Sequence, residues 1–594
     1  MPITSPATQQ FFVEIIKPSH YDDDGYVIQW VRAFVPSSSL AAVSAIAHDA
    51  KEQQALGPDV AIEIREYDEV HTVIPVREII KRIEAGGGRG LVLLTGVQSN
   101  QFPRAADLAT EFRAAGIPVV IGGFHVSGCL SMLPEIPVEI AEIQKLGVSL
   151  FAGEAEGRLG DLFRDVYRGE LKPVYNYLND LPALEGVVTP FLPINIARKS
   201  FDFTAFDAGR GCPFRCSFCT IINVQGRKSR HRNADDVERI VRAYSGHGVK
   251  KMFITDDNFS RNKNWEQIFD RFIELREKEG LRFKLFIQVD TQCHKIPRFI
   301  EKAAKAGCRS VFIGMETVSP ENLAAAKKFQ NRISEYRVML QAWRAHKVLT
   351  HAGYILGFPA DTPESIERDI RTIQRELPID ILEFFIMTPL PGSADHQELV
   401  RQGVPLDPDM NFYDTEHVTR QHEKMTADEW RGIYDRAWHL YYSPEHVKTM
   451  VYRAVANGMG LARVIGAVMT YYGSYRFQKL HPLQCGLLRR KIRTSRRPTF
   501  ARENPLVFYP RRAWEIVKTH VAAGWYFYQL HRMKSRVAKD PQARLYTDLA
   551  LTPPTAEDLP IAEEQACSRE AAPAVVQLKM TNPALGSEAA ARAA

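Results

Sequence analysis

Cys212, Cys216 and Cys219 fall together in the run Arg210-Gly-Cys-Pro-Phe-Arg-Cys-Ser-Phe-Cys219. The C-x3-C-x2-C spacing puts three thiolates on one short loop, where they can cap three irons of a [4Fe–4S] cube and leave the fourth iron open. An open iron chelates a ligand, and chemistry enters there. Two other chemistries compete for clustered thiols. Structural zinc is closed by four ligands, and the nearest fourth candidate, His231, lies in a basic stretch without finger spacing. A disulfide would leave one thiol of the three over, and disulfides are rare in reducing compartments.

The elements that must position this loop follow from the alternation of apolar runs. Over 196–404, strand-like runs at 251–255, 283–288, 310–314, 350–357 and 381–387 alternate with helical spacing at 234–244, 265–279, 297–306, 335–346 and 362–376. Asn233 and Ser334 are suitable N-caps. Parallel strands with outer helices predict a partial or full α/β barrel, whose chemistry sits at the strand carboxyl ends. The region 1–195 alternates as well, with strands at 90–95, 117–123 and 147–153 and a helix at 102–115. That pattern predicts a doubly wound parallel sheet binding ligands beyond its strand ends. Thr95-Gly-Val-Gln-Ser-Asn100, Gly122-Gly-Phe-His125 and Gly153-Glu-Ala-Glu-Gly157 fall at those ends.

With the aromatic Phe218 before its last cysteine, the loop resembles the cluster loop of the radical SAM superfamily. The resemblance covers the whole central region and implies a partial, six-unit (β/α)6 barrel. It implies that the three cysteines hold a [4Fe–4S] cluster whose open iron takes the amino and carboxylate groups of S-adenosylmethionine. Reductive cleavage then releases a 5′-deoxyadenosyl radical, with electrons from a donor such as ferredoxin or flavodoxin. By the same resemblance Phe218 packs near the adenine, and Asp256, Asp257 and Asn258 receive the methionine amino end. Glu316 stands near the ribose hydroxyls, and Gly353 and Gly357 mark the strand beside the adenine. Gln288 and Asp290 face substrate or the adenosyl group. For each of these residues an ordinary strand-end hydrogen bond or helix cap is the alternative. The basic run 226–232 reads as an anion clamp or, somewhat better, as a solvated loop.

Val120-Ile-Gly-Gly-Phe-His125 and Phe151-Ala-Gly-Glu-Ala-Glu-Gly157 resemble the cobalamin-binding domain that precedes the radical SAM core in one large subclass. This implies cobalamin contacts from Ser99, Gly122, Gly123, His125, Gly153 and Glu154. The Asp-x-His-x-x-Gly motif that ligates cobalt in many cobalamin proteins is absent, and Tyr21-Asp-Asp-Asp-Gly25 does not replace it. The absence fits cobalamin held without a protein histidine on cobalt, and equally a domain that has lost the cofactor.

Residues 405–545 read as helical, aromatic and basic, with Trp430, Tyr434, Trp438, Tyr441 and Tyr442 followed by a dense basic stretch at 489–497. A helical lid or bundle, or a peripheral membrane contact, fits this composition. Residues 546–594 are Pro-, Ala- and Glu-rich and predict a disordered tail, with Cys567 incidental. A net charge of +6 over 594 residues is too slight to indicate nucleic acid. With 45% hydrophobic and 25% charged residues, no secretory start and no long apolar run, the chain reads as a cytoplasmic globular protein.

The expected function is a radical SAM enzyme, cobalamin-dependent and methylating an unactivated carbon of a bulky, partly apolar small molecule. The alternatives are a cobalamin-free radical SAM enzyme performing cyclisation, oxidation or rearrangement, and a non-catalytic iron–sulfur protein.

Overall fold

The computed structural model describes residues 9–554. Its first sheet is built from β1 (Gln9–Lys17), β2 (Val60–Asp68), β3 (Gly90–Leu94), β4 (Val119–Gly122), β5 (Ser149–Ala152) and β6 (Val174–Asn176), all parallel, in the order β2-β1-β3-β4-β5-β6. The continuous apolar run of β3 is buried along its whole length, as a strand covered on both faces must be. The order reverses between β1 and β3, which creates a crevice at the strand carboxyl ends.

The second sheet comprises β7 (Phe203–Phe206), β8 (Lys251–Ile254), β9 (Lys284–Val289), β10 (Cys308–Glu316), β11 (Leu349–Leu356) and β12 (Ile381–Ile386), paired in strict chain order and all parallel. β7 and β12 are its two edges, so this is the expected open, six-stranded partial barrel. Five of its strands fall where the apolar runs predict them. The sixth, β7, leads directly into the cysteine loop. Gly209–Arg210 and Arg230–His231 pair antiparallel and clamp that loop at its base.

The C-terminal region is helical as expected: Ala427–Tyr441, Pro444–Ala456, Leu461–Gln478 and the 35-residue Pro505–Lys539. It is joined to both other regions. Gly486–Arg490 pairs antiparallel with Gln29–Ala33, a connection across the whole chain. Trp430 is fully buried and donates its indole N–H to the Leu356 carbonyl at 3.1 Å. It lies so close to Gly357 (φ +103°) that a Cβ there would stand 1.8 Å from its ring. Gly357, expected beside adenine, is therefore a glycine because Trp430 occupies the space.

The expected tail starts later than residue 546. Asp548 accepts a 2.7 Å bond from the Arg453 guanidinium, and Ala550 is fully buried. The rest of that expectation, with Cys567, lies outside the described residues.

Candidate active site

The carboxyl ends of both sheets face one another across a cavity of about 250 Å³. Its floor is backbone and hydroxyls from the first sheet: Thr95 and Gly96 after β3, Gly122 and Gly123 after β4, and Gly153 after β5. Gly123 has φ +148°, and a Cβ on it would lie 2.2 Å from the Val97 nitrogen, so no other residue fits this turn. The Gly153 N–H donates to Ser127 Oγ at 3.1 Å. Opposite lie Asp207, Arg210, Thr255 and Asp257 from the barrel side.

Glu154 lines this cavity too, but it is engaged by the barrel. It accepts from Arg210 Nη1 at 2.7 Å and from Arg230 Nη1 at 2.9 Å. Glu156 accepts from Arg210 Nη2 at 2.7 Å, and Asp207 from Arg210 Nε at 3.1 Å. All five groups are nearly buried, so their charges are desolvated and must be paired. The solvated reading of the basic run is thus corrected in part. Arg230 and Arg232 are locked into the structure, Arg232 with no exposure, while Arg227 and Lys228 face solvent. The same network corrects the expectation for Glu154, whose carboxylate couples the two sheets.

Cys216 is buried and accepts from Gln330 Nε2 at 3.5 Å; Cys212 and Cys219 are half-buried, and none of the three is in a disulfide. Burial pushes the Cys212 thiol up to about 11 and Cys219 up to about 12. Three neighbouring free thiols become ligands when a metal centre stabilises their thiolates, and this donor set fits an iron–sulfur cube. Lys328 supplies nearby positive charge. It is ion-paired with Glu316, lies 5.7 Å from the Phe218 ring centroid, and its ammonium is held above the ordinary range because Glu316, Cys216 and Cys219 outweigh the effect of burial. Glu316 occupies the left-handed region at φ +65°, a strained conformation of the kind that clusters at functional sites. Gly353, on the neighbouring strand, would place a Cβ 3.0 Å from the Phe312 ring and 3.3 Å from the Phe385 ring, so the bare backbone there leaves room for those rings.

The Asp256-Asp257-Asn258 run divides in three. Asp256 is saturated by the chain itself, accepting from the amides of Ala208 at 2.7 Å and Gly209 at 2.8 Å and from Asn262 Nδ2 at 2.9 Å. It pins the strand that enters the cysteine loop, and all three of these bonds come from the chain itself. Asn258 bridges to Asp290 at 2.9 Å, and Asp290 in turn holds Arg261 at 2.6 Å, so both are positioning residues. Asp257 alone opens into the cavity, with a single 3.3 Å bond from the Gly211 amide, and burial pushes its carboxyl up to about 7.

A second cavity, of about 910 Å³, runs through the barrel interior beneath the first. Phe203, Phe253, Phe286, Phe312, Phe385 and Tyr471 make its walls. Gln288 and Ser99 line it, so Gln288 faces this second cavity and Ser99 lies away from the glycine floor. Phe124 and Ile221 line both cavities and form the partition between them. Glu383 and His481 close one end, 3.9 Å apart, with Glu383 Oε2 and His481 Nε2 buried and unpartnered. Burial holds His481 down at about 4, so the ring is neutral at pH 7. Neither was anticipated: nothing in a strand-like run marks that Glu383 points inward, and His481 stands in the loop after the helix Leu461–Gln478, outside any motif.

His125 is not on the glycine floor. It is fully buried behind it, against the Phe102 ring at 4.4 Å and Ser99 Oγ at 3.2 Å. The floor itself presents no histidine, which fits a corrin bound without a protein ligand to cobalt.

An open parallel barrel with three free cysteines on the loop after its first strand defines a radical SAM domain, and that domain implies a [4Fe–4S] cluster and S-adenosylmethionine. Residues 208–373 match the radical SAM superfamily model, so the chain contains a radical SAM domain. It is similar to a bacteriochlorophyllide d C-12(1)-methyltransferase of Chlorobaculum tepidum, 29% identical over 322 residues that cover 53% of this chain and 67% of the relative. It is also similar to a hopanoid C-2 methylase of Rhodopseudomonas palustris, at 24% identity, covering 57% of this chain and 62% of the relative. Among solved structures its fold matches that of TsrM from Kitasatospora setae, a radical S-adenosylmethionine methyltransferase with cobalamin and a [4Fe–4S] cluster bound. The TM-score is 0.55 at 14% identity, over 79% of this chain and 98% of that one.

Proposed function

We propose that this chain is a cobalamin-dependent radical SAM methyltransferase acting on an unactivated carbon of a bulky, largely apolar small molecule. The observation that carries the reading is the pair of cavities sharing Phe124 and Ile221. When bound, the cluster with S-adenosylmethionine supplies a hydrogen-abstracting radical and cobalamin supplies the methyl group. The residues would do the rest. Cys212, Cys216 and Cys219 hold the cluster. Lys328 offsets its charge and Glu316 receives ribose. Asp257 offers the acceptor for the methionine amino group. The glycine floor cradles the corrin, and the aromatic walls exclude water from the reacting carbon.

The substrate class follows from the second cavity. Its walls are apolar, and its polar end is a buried carboxylate beside a neutral imidazole. That end calls for one proton-donating group, a hydroxyl or an amine, on an otherwise apolar body. Two relatives are named for methylation of a bacteriochlorophyllide and of a hopanoid.

Peripheral membrane contact belongs to the same reading. Among the described residues no helix is long and apolar enough to cross a membrane. Pro505–Lys539 nevertheless exposes Trp514 (67%), Val521 (67%) and Trp525 (61%) along one side, flanked by Arg511, Lys518 and Arg532. Aromatic and aliphatic side chains beside cations suit an anionic lipid surface. Trp514→Ser with Trp525→Ser should abolish co-sedimentation with anionic vesicles; unchanged binding of the double variant would remove the helix from that role.

The central test is anaerobic reconstitution with iron, sulfide and cobalamin, followed by reduction in the presence of S-adenosylmethionine. Retained cobalamin with both 5′-deoxyadenosine and S-adenosylhomocysteine is the expected result. Deoxyadenosine without retained cobalamin would overturn the methyltransferase reading while leaving the radical domain intact.

A further inference from the structure

The helix Phe124–Met132, which follows the glycine turn, carries His125 and Cys129 one turn apart, and the next helix, Val138–Lys145, brings Glu139 to them. A ring nitrogen, the Cys129 sulfur and a Glu139 oxygen all lie within 4.8 Å of one another. His125 has no exposure and Cys129 1%. His125 Nε2 has no hydrogen-bond partner; Glu139 Oε1, at 3.6 Å, is beyond reach. The other ring nitrogen lies 3.2 Å from Ser99 Oγ, which fixes the ring's orientation as an outer-shell partner does for a metal-ligating histidine.

A second histidine stands nearby. His396, in the first turn of Ala394–Arg401, is buried with its Nδ1 unpartnered. A core that leaves two imidazole nitrogens dry and unpaired has a cost that packing alone does not offset.

We propose that His125, Cys129 and Glu139 bind one zinc ion. One nitrogen, one sulfur and one carboxylate oxygen are a zinc donor set. Binding releases the Cys129 proton to solvent. The site has a clear mechanical purpose. A Cβ on Gly128 would stand 2.4 Å from the Pro391 carbonyl oxygen, so this helix already lies against the turn after β12. Zinc would rivet the helix behind the glycine floor to Val138–Lys145 and so hold it against that turn. The proposal is independent of the chemistry assigned to the cavities.

The test is metal analysis of the full chain produced with zinc in the medium, zinc and iron being measured on the same samples. The expected result is one zinc per chain in the unaltered protein, lost in Cys129→Ser and in His125→Ala, with iron unchanged. Only trace zinc in the unaltered protein, or zinc in Cys129→Ser equal to it, overturns the proposal. Should those variants fail to fold, Co2+ titration of the chain bearing Cys212→Ser, Cys216→Ser and Cys219→Ser decides. One equivalent with a thiolate-to-cobalt charge-transfer band supports the site, and absence of that band overturns it.

Discussion

The two cavities that meet at Phe124 and Ile221 are built from opposite materials. The upper one has a floor of main chain and small residues, fixed by Gly123 and by the buried ion pairs of Glu154 and Glu156 with Arg210. The lower one has walls of side chains, many of them aromatic, and a buried carboxylate with one oxygen unpartnered. Main chain cannot be altered residue by residue without moving the strands that carry it. Side-chain walls can be re-cut one rotamer at a time. The upper cavity therefore suits a cofactor that never changes, and the lower one a substrate that differs between relatives.

The sharpest break in this contrast comes from the cluster loop, on which both cavities depend. Cys216→Ala should lose the cluster and all 5′-deoxyadenosine formation; retained cleavage would refute the site assignment. Gly123→Val comes next. Its Cβ would collide with Val97, so cobalamin retained through gel filtration should fall below about a tenth of the unaltered level, while S-adenosylmethionine cleavage persists. Loss of both together would show that the two cavities are not separable. Glu154→Gln leaves Arg210 and Arg230 short of a counter-charge and should cost about 3 kcal/mol by chemical denaturation, as breaking a buried pair does. A cost within error would mean the network contributes no rigidity.

The smallest effect concerns pH. His417 lies 2.8 Å from Asp414 and 3.2 Å from Asp23, and although burial lowers it, these carboxylates raise it from 6.5 to about 10. A folded value above the unfolded one means stabilisation that is complete below pH 6.5 and is lost as pH rises through about 10. His417→Gln should lower the melting temperature at pH 6 by a few degrees and match the unaltered protein above pH 10. A constant difference across that window would remove the ion pairs as its cause.

What the sequence disclosed is what local pattern can encode. The apolar runs of β3, β4 and β5 and of five barrel strands, and the spacing of three cysteines, are all read within a dozen residues. What it hid depends on partners far along the chain. Asp256 looks like a free acceptor until the amides of Ala208 and Gly209, nearly fifty positions earlier, are seen to occupy it. Glu154 reads as a cofactor contact because Arg210 lies 56 residues away. The strand Gln29–Ala33 has no meaning without Gly486–Arg490. Glu383 shows the same limit in reverse, since a carboxylate within an apolar strand could point to either face.

The insertion of Trp430 against Gly357 has a consequence for how this protein can be dissected. Composition changes near residue 404, and an engineer would cut or graft there. A chain ending at that point would leave the Leu356 carbonyl without its indole donor and a hole beside the barrel's fifth strand. Tyr471 and His481, which complete the substrate cavity, would go with it. Barrel and helical region are thus a single unit of exchange, and a hybrid that borrows another relative's specificity must carry over both halves of that joint.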